Sequence, residues 1–117
     1  MKKFVIFVLA MLIAGSAYAD ATIFSNIGTL SMDVYVPGTE RQLSATSIGC
    51  AKVIITALSN NAGVICIGDK NVVAATAGRK GIPLVAGQSI TLPVSDVSMV
   101  WIDATVAGDG VSAIYMR

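Results

Sequence analysis

The sequence predicts an all-β fold, a single small β-sandwich preceded by an N-terminal apolar signal or anchor segment. Three observations predict it. Beyond the N-terminal segment no stretch sustains a helical period, and short runs rich in Val, Ile and Thr alternate with polar residues instead. Clusters of Gly, Pro, Asn and Asp cut those runs at regular intervals. The chain has 117 residues, which leaves one domain's length and enough surface to bury one modest core.

The leader comes first. Met1-Lys2-Lys3 is a short positive start, and Phe4 to Ile13 is unbroken apolar chain. Ala17 and Ala19 then offer small side chains where a signal peptidase needs them, so cleavage is expected before Asp20. A spanning helix needs about 20 apolar residues, and this run is shorter. Residues 1–19 are therefore read as a signal peptide and 20–117 as the sandwich domain, with an uncleaved anchor as the competing reading.

The strands follow in order. Ala21–Ser25 is the expected first strand. Leu30–Val36 comes next, with Leu30, Met32, Val34 and Val36 alternating against Ser31, Asp33 and Tyr35 until Pro37-Gly38 ends it. Arg41–Thr46 is weaker. Ala51–Leu58 and Val64–Gly68 are joined by an Asn-rich turn, and Asp69 to Gly81 reads as a loop with a short strand at Asn71–Ala74. Ile82–Val85 is brief. Ile90, Leu92 and Val94 alternate along a strand whose Pro93 cannot donate to a ladder, which suits an edge or a strand end.

The last pair, Met99–Val106 and Val111–Met116, flanks Ala107-Gly108-Asp109-Gly110 and is expected to form a hairpin about the Asp-Gly dipeptide. That register puts Val100, Ile102, Ala104, Val106, Val111, Ala113 and Tyr115 on one face. Met99, Trp101, Asp103, Thr105, Ser112, Ile114 and Met116 take the other. One apolar face must be core. The other, with Trp101, Ile114 and Met116, is the expected contact surface. Strand order depends on long-range pairing, so jelly-roll-like and immunoglobulin-like connectivity both stay open.

The two cysteines, Cys50 and Cys66, lie in an export context that permits a disulfide. If Ala51–Leu58 and Val64–Gly68 form a hairpin, Cys66 faces Thr56, and Cys50 lies about 20 Å further along the strand. Bridged Cα atoms sit about 4.4–6.8 Å apart. Two free thiols are expected, unless the strands belong to different sheets.

Composition narrows the chemistry. The formal charge is +1; without Lys2 and Lys3 the remaining Lys and Arg are outnumbered by the carboxylates, and the domain turns slightly acidic. Nucleic acid, which needs a basic face, is not an expected partner. The sequence contains no histidine, so the commonest general base and metal ligand are missing. Ser44, Ser47 and Ser89 lack a nucleophile signature around them. Asp69 and Asp109 stand where turns use carboxylates to satisfy backbone amides. No catalytic, cofactor-binding or metal residues are assigned. Charged residues are 13% of the chain, against about a quarter in an average domain. A surface so poor in charge favours a partner or an oligomer. Arg79-Lys80, the one adjacent basic pair of the domain, reads either as a solvated loop tip or as a docking site for an acidic partner.

The runs Gln42–Ser47 (QLSATS), Cys50–Leu58 (CAKVIITAL), Gly63–Asp69 (GVICIGD), Gly81–Leu84 (GIPL), Ala86–Val94 (AGQSITLPV) and Val100–Thr105 (VWIDAT) together resemble small β-sandwich structural proteins of bacteriophages and prophages. Those proteins decorate capsids or form spike and fibre modules. The resemblance covers about the last two-thirds of the chain and brings no catalytic residues. It implies a virion structural protein that meets other virion proteins or copies of itself, with no cofactor. The leader departs from the pattern, because tailed-phage virion proteins assemble in the cytoplasm. It suits assembly at a membrane, as in filamentous or lipid-containing phages, or a bacterial surface protein. Localisation is accordingly expected to be exported, periplasmic or extracellular, or in a virion, with membrane contact only through the N-terminal segment. The competing expectation is an exported binding module, an adhesin or periplasmic inhibitor that recognises a cell-surface glycan or protein through the Asp69–Gly81 stretch. A small hydrolase ranks last.

Overall fold

A computed structural model describes residues 25–117. The expected leader and nearly all of the expected strand Ala21–Ser25 lie outside the described residues. Eight strands follow one another: β1 (Ile27–Asp33), β2 (Arg41–Gln42), β3 (Lys52–Ala57), β4 (Ile65–Gly68), β5 (Ile82–Leu84), β6 (Ser89–Leu92), β7 (Trp101–Ala104) and β8 (Gly110–Met116). Among the described residues the only helical segment is a 3-10 turn at Val97–Met99, just before β7. The fold is all-β.

Two four-stranded antiparallel sheets form, one in the order β1-β8-β3-β6 and the other in the order β2-β7-β4-β5. The pairs are nested: β1 with β8, β2 with β7, β3 with β6 and β4 with β5, with β8 and β7 also pairing inward to β3 and β4. The arrangement is compatible with a small β-sandwich. One hydrophobic core joins the sheets. Val53, Ile55, Ala57, Val111 and Ala113 enter it from the first, and Ile65, Ile67, Leu84, Ile102 and Ala104 from the second. These are the alternate positions of their strands, as the two-residue period of a pleated backbone requires. Val34, Leu43, Val97 and Val100 close its ends from the connecting segments.

Both expected hairpins are replaced by crossings between sheets. β3 and β4 lie in different sheets, and so do β7 and β8. The inward sets expected for the last pair are right for Val100, Ile102, Ala104, Val111 and Ala113, which are buried, but they meet face to face across the core rather than side by side. Backbone conformation explains why no tight hairpin forms at Asp109-Gly110. A two-residue type I′ turn needs positive φ at both central positions, and no described non-glycine residue has positive φ.

The Asp109 carboxylate instead accepts the amides of Ala62 (2.9 Å) and Gly63 (2.8 Å). The Asn61 side chain accepts from the Gly110 amide at 2.9 Å and donates to its carbonyl oxygen at 2.8 Å. Each crossing loop thus holds the other. Cys50 and Cys66 are free, although the hairpin from which that was expected does not form, since β3 and β4 lie in different sheets. The expected strand at Leu30–Val36 ends early, at Asp33, and leaves Val36 60% exposed.

The loop between β4 and β5 lies on the outer face of the second sheet. Val72 and Ala74 are buried there with Cys66, and Val64 and Trp101 pack alongside. Asp103 holds this layer. Its side chain, 1% exposed, accepts the Ala74 amide (2.8 Å) and the Gly38 amide (3.0 Å). Glycine closes the loop at Gly81: it sits at φ +112°, and a Cβ there would lie 2.6 Å from the Ile67 carbonyl oxygen. The outer face of the first sheet carries no such layer among the described residues.

Candidate functional site

The structure does not bring the five expected contact residues together. Ile114 and Met116 sit half-buried on the open outer face of the first sheet, opposite Ile54 and Lys52 of β3. Trp101 is on the outer face of the second sheet, on the other side of the molecule, packed against the loop that covers it. Arg79 and Lys80 belong to that loop. Arg79 is half-buried, and its Nε donates to the Ala74 carbonyl oxygen at 2.9 Å. Lys80 is exposed, and its backbone exchanges hydrogen bonds with Val73 in both directions. The basic pair therefore shapes the loop rather than standing at a free tip.

Beside Trp101 runs an open groove of about 520 Å³ lined by Tyr35, Val36, Thr39, Glu40, Arg41 and Gln42 as well as Trp101. β2 builds it. Gln42 pairs with Trp101 and Arg41 with Ile102, so this short strand sets the β2 side chains against the tryptophan. Tyr35 (67% exposed) and Val36 present apolar surface to solvent. The Arg41 guanidinium stands 5.2 Å from the Tyr35 ring centroid and donates to the Asp33 carbonyl oxygen at 2.9 Å. Cation and ring fix each other's position. Gln42 is anchored through its side-chain amide to the Ser98 carbonyl oxygen at 2.7 Å. Two aromatic side chains, a guanidinium and the Glu40 carboxylate therefore share one concave strip.

Sequence reasoning singled out Trp101 but missed its neighbours. The alternation placed both Tyr35 and Val36 in one strand, Leu30–Val36, which the structure ends at Asp33. The usable signal was Pro37-Gly38, which ends pairing early and leaves the two residues before it unpaired.

Both thiols and the Asp96 carboxylate are engaged within the fold. Burial pushes the Cys66 thiol above its ordinary pKa; Arg79 pulls it down and Asp103 raises it further. The Cys50 thiol is raised by burial and by Asp96, and it donates to the Val94 carbonyl oxygen. Both stay protonated near neutrality and are poor nucleophiles. Asp96 accepts from the Ser47 hydroxyl, from the Ser98 hydroxyl (2.6 Å) and amide (2.8 Å), and from the Ile48 amide (3.0 Å). Those bonds, the Ser47 one foremost, hold its carboxyl far below the usual carboxylate range. Among the described residues no three His, Cys, Asp or Glu side chains come together as metal ligands. No protein-family model, curated protein or solved structure matches the chain.

Proposed function

We propose that the chain is a non-enzymatic virion structural protein of the capsid-decoration or spike type, folded as a jelly-roll sandwich and assembling with copies of itself or with other virion proteins. One observation carries this reading. The orders β1-β8-β3-β6 and β2-β7-β4-β5 are those of a long antiparallel ribbon of nested strand pairs rolled into two sheets. Double-sheet jelly rolls of this kind serve in viral capsid and lectin domains. Fold supports role by analogy, and the resemblance of the strand sequences to phage structural proteins runs in the same direction. The leader reading adds export, with assembly at or beyond a membrane. Light scattering on the purified full-length product is expected to find a discrete symmetric oligomer, and its intact mass is expected to correspond to a chain that starts at Asp20. A concentration-independent monomer would count against self-assembly.

A specific observation favours a second reading, an exported binding module for a cell-surface glycan or protein. The strip of Tyr35, Trp101, Arg41 and Glu40 combines stacking surface with polar groups, the usual makeup of a recognition site. A glycan array would show retained oligosaccharide that is lost in Tyr35→Ala and Trp101→Ala. An empty array with both side chains intact removes the glycan arm of this reading.

A further inference from the structure

The four sheet edges are unequal. β2 has two residues, β5 has three with Pro83 in the middle, and β6 has four and runs directly into Pro93. Shortness and proline are the usual devices that keep an edge from pairing with another chain. β1 has neither. Its seven residues, Ile27–Asp33, include no proline, no lysine and no charge before Asp33.

The hydrogen-bond phase of β1 identifies which groups are unused. Asn26 and Arg117 exchange both backbone bonds, N–H to O at 2.7 Å and 2.9 Å. Antiparallel ladders alternate, so Gly28, Leu30 and Met32 also bond to β8, through their partners Tyr115, Ala113 and Val111. The amides and carbonyls of Ile27, Thr29 and Ser31 therefore point away from the sheet. Burial tells the same story. Leu30 and Met32 face the core yet are only half-buried, whereas Val53, Ile55 and Ala57 two strands further in are fully covered.

We infer that β1 is a self-pairing edge, on which β1 of a second copy docks antiparallel about a two-fold axis through Thr29. The register follows from the phase. Thr29 stands opposite Thr29 of the second copy and Ile27 opposite its Ser31, so every outward amide and carbonyl from Ile27 to Ser31 finds a partner. Beneath the ladder, Leu30 stands opposite Gly28 of the second copy, over which the Tyr115 ring of that copy already lies, so Leu30 packs against that ring and the exposed flank of the core is covered. The same strand serves both copies, as an isologous contact requires, and no like charges meet along it. The β1-β8-β3-β6 sheets of the two copies become one continuous sheet. This inference rests on the reading that the chain assembles with itself, and it names the surface.

Light scattering over a concentration series on the full-length product tests it, with Thr29→Lys on β1 and Thr91→Lys on the exposed face of β6. Thr29→Lys sets two ammonium groups against each other at the axis and is expected to weaken the dimer on the order of 100-fold, while Thr91→Lys leaves it intact. Thr29→Cys supplies an independent readout. Narrow-pair Cα atoms lie about 5.5 Å apart, within disulfide range. Oxidised glutathione, itself reduced to two thiols, is expected to link the copies through residue 29, whereas Thr91→Cys stays unlinked. An oligomer that ignores Thr29→Lys and fails to cross-link through Thr29→Cys overturns the β1 edge and leaves self-assembly standing. A wild-type chain that stays monomeric at every concentration removes both.

Discussion

Asp96 shows how much one half-buried carboxylate can organise when its bonds are local. It joins Ser47 and Ile48 of the segment before β3 to the 3-10 turn at Val97–Met99, which it also caps. That turn delivers Val97 and Val100 to the core and starts β7 in the right phase. The native carboxyl titrates below its ordinary value of 3.8, so the unfolded chain takes up the proton first as pH falls. The stabilisation is complete above the unfolded value and is lost as pH drops through the native one. Asp96→Asn is expected to melt at a lower temperature than wild type at neutral pH, with the gap closing below about pH 4. Thermal melts across a pH series measure it. A gap that does not change with pH would mean that the charge is not what holds the turn.

At the level of elements, most strand positions were legible and strand partners were not; the expected strand at Asn71–Ala74 is only an isolated bridge from Val73 to Lys80, and Arg41–Thr46 shortens to Arg41–Gln42. Alternation along β3 puts Val53, Ile55 and Ala57 on one face, and the core holds all three. Alternation reports which way a side chain points and carries no information about which strand lies beside it. Asn60-Asn61 and Asp109-Gly110 look like tight-turn dipeptides, yet Asn61 and Asp109 spend their side chains on backbone groups of the opposite crossing loop. That contact joins residues nearly half the chain apart, so no local window could reveal it. Asp103 was placed on the outer face correctly, but its role appears only once the loops it holds are in position. Asp103→Ala would leave the amides of Gly38 and Ala74 without their acceptor. Gly38 is exposed, so water can take its amide, whereas the buried Ala74 donor left unpaired costs about 1–3 kcal/mol. The variant is expected to lose stability in that range and to be cut between residues 69 and 81 by protease under conditions where wild type resists. Urea melts and limited proteolysis check both.

For the whole molecule, nested pairing makes the outermost contact the longest in sequence. β1 pairs with β8 near the two ends of the described chain, and the Ser25 amide donates to the Arg117 carbonyl oxygen at 2.7 Å. β8 is also the central strand that joins β1 to β3, so the first sheet cannot be completed until a loop spanning the domain has closed. Closure entropy is lost before the contacts repay it, and folds of this contact order fold in milliseconds to seconds. The adjacency of Ser25 and Arg117 offers a direct test. Joining them by a short glycine linker and opening the chain at the exposed Ala77-Gly78 would turn β1 and β8 into a local hairpin and make β4 and β5 the distant pair, while leaving the core residues unchanged. If closing that longest loop limits the rate, the permuted domain is expected to refold about tenfold faster than the same residues in native order. Stopped-flow tryptophan fluorescence should report this, since Trp101 lies against the loop packed on the second sheet. Equal refolding rates would instead mean that the distant β4–β5 closure created by the permutation costs as much as the β1–β8 closure it removes.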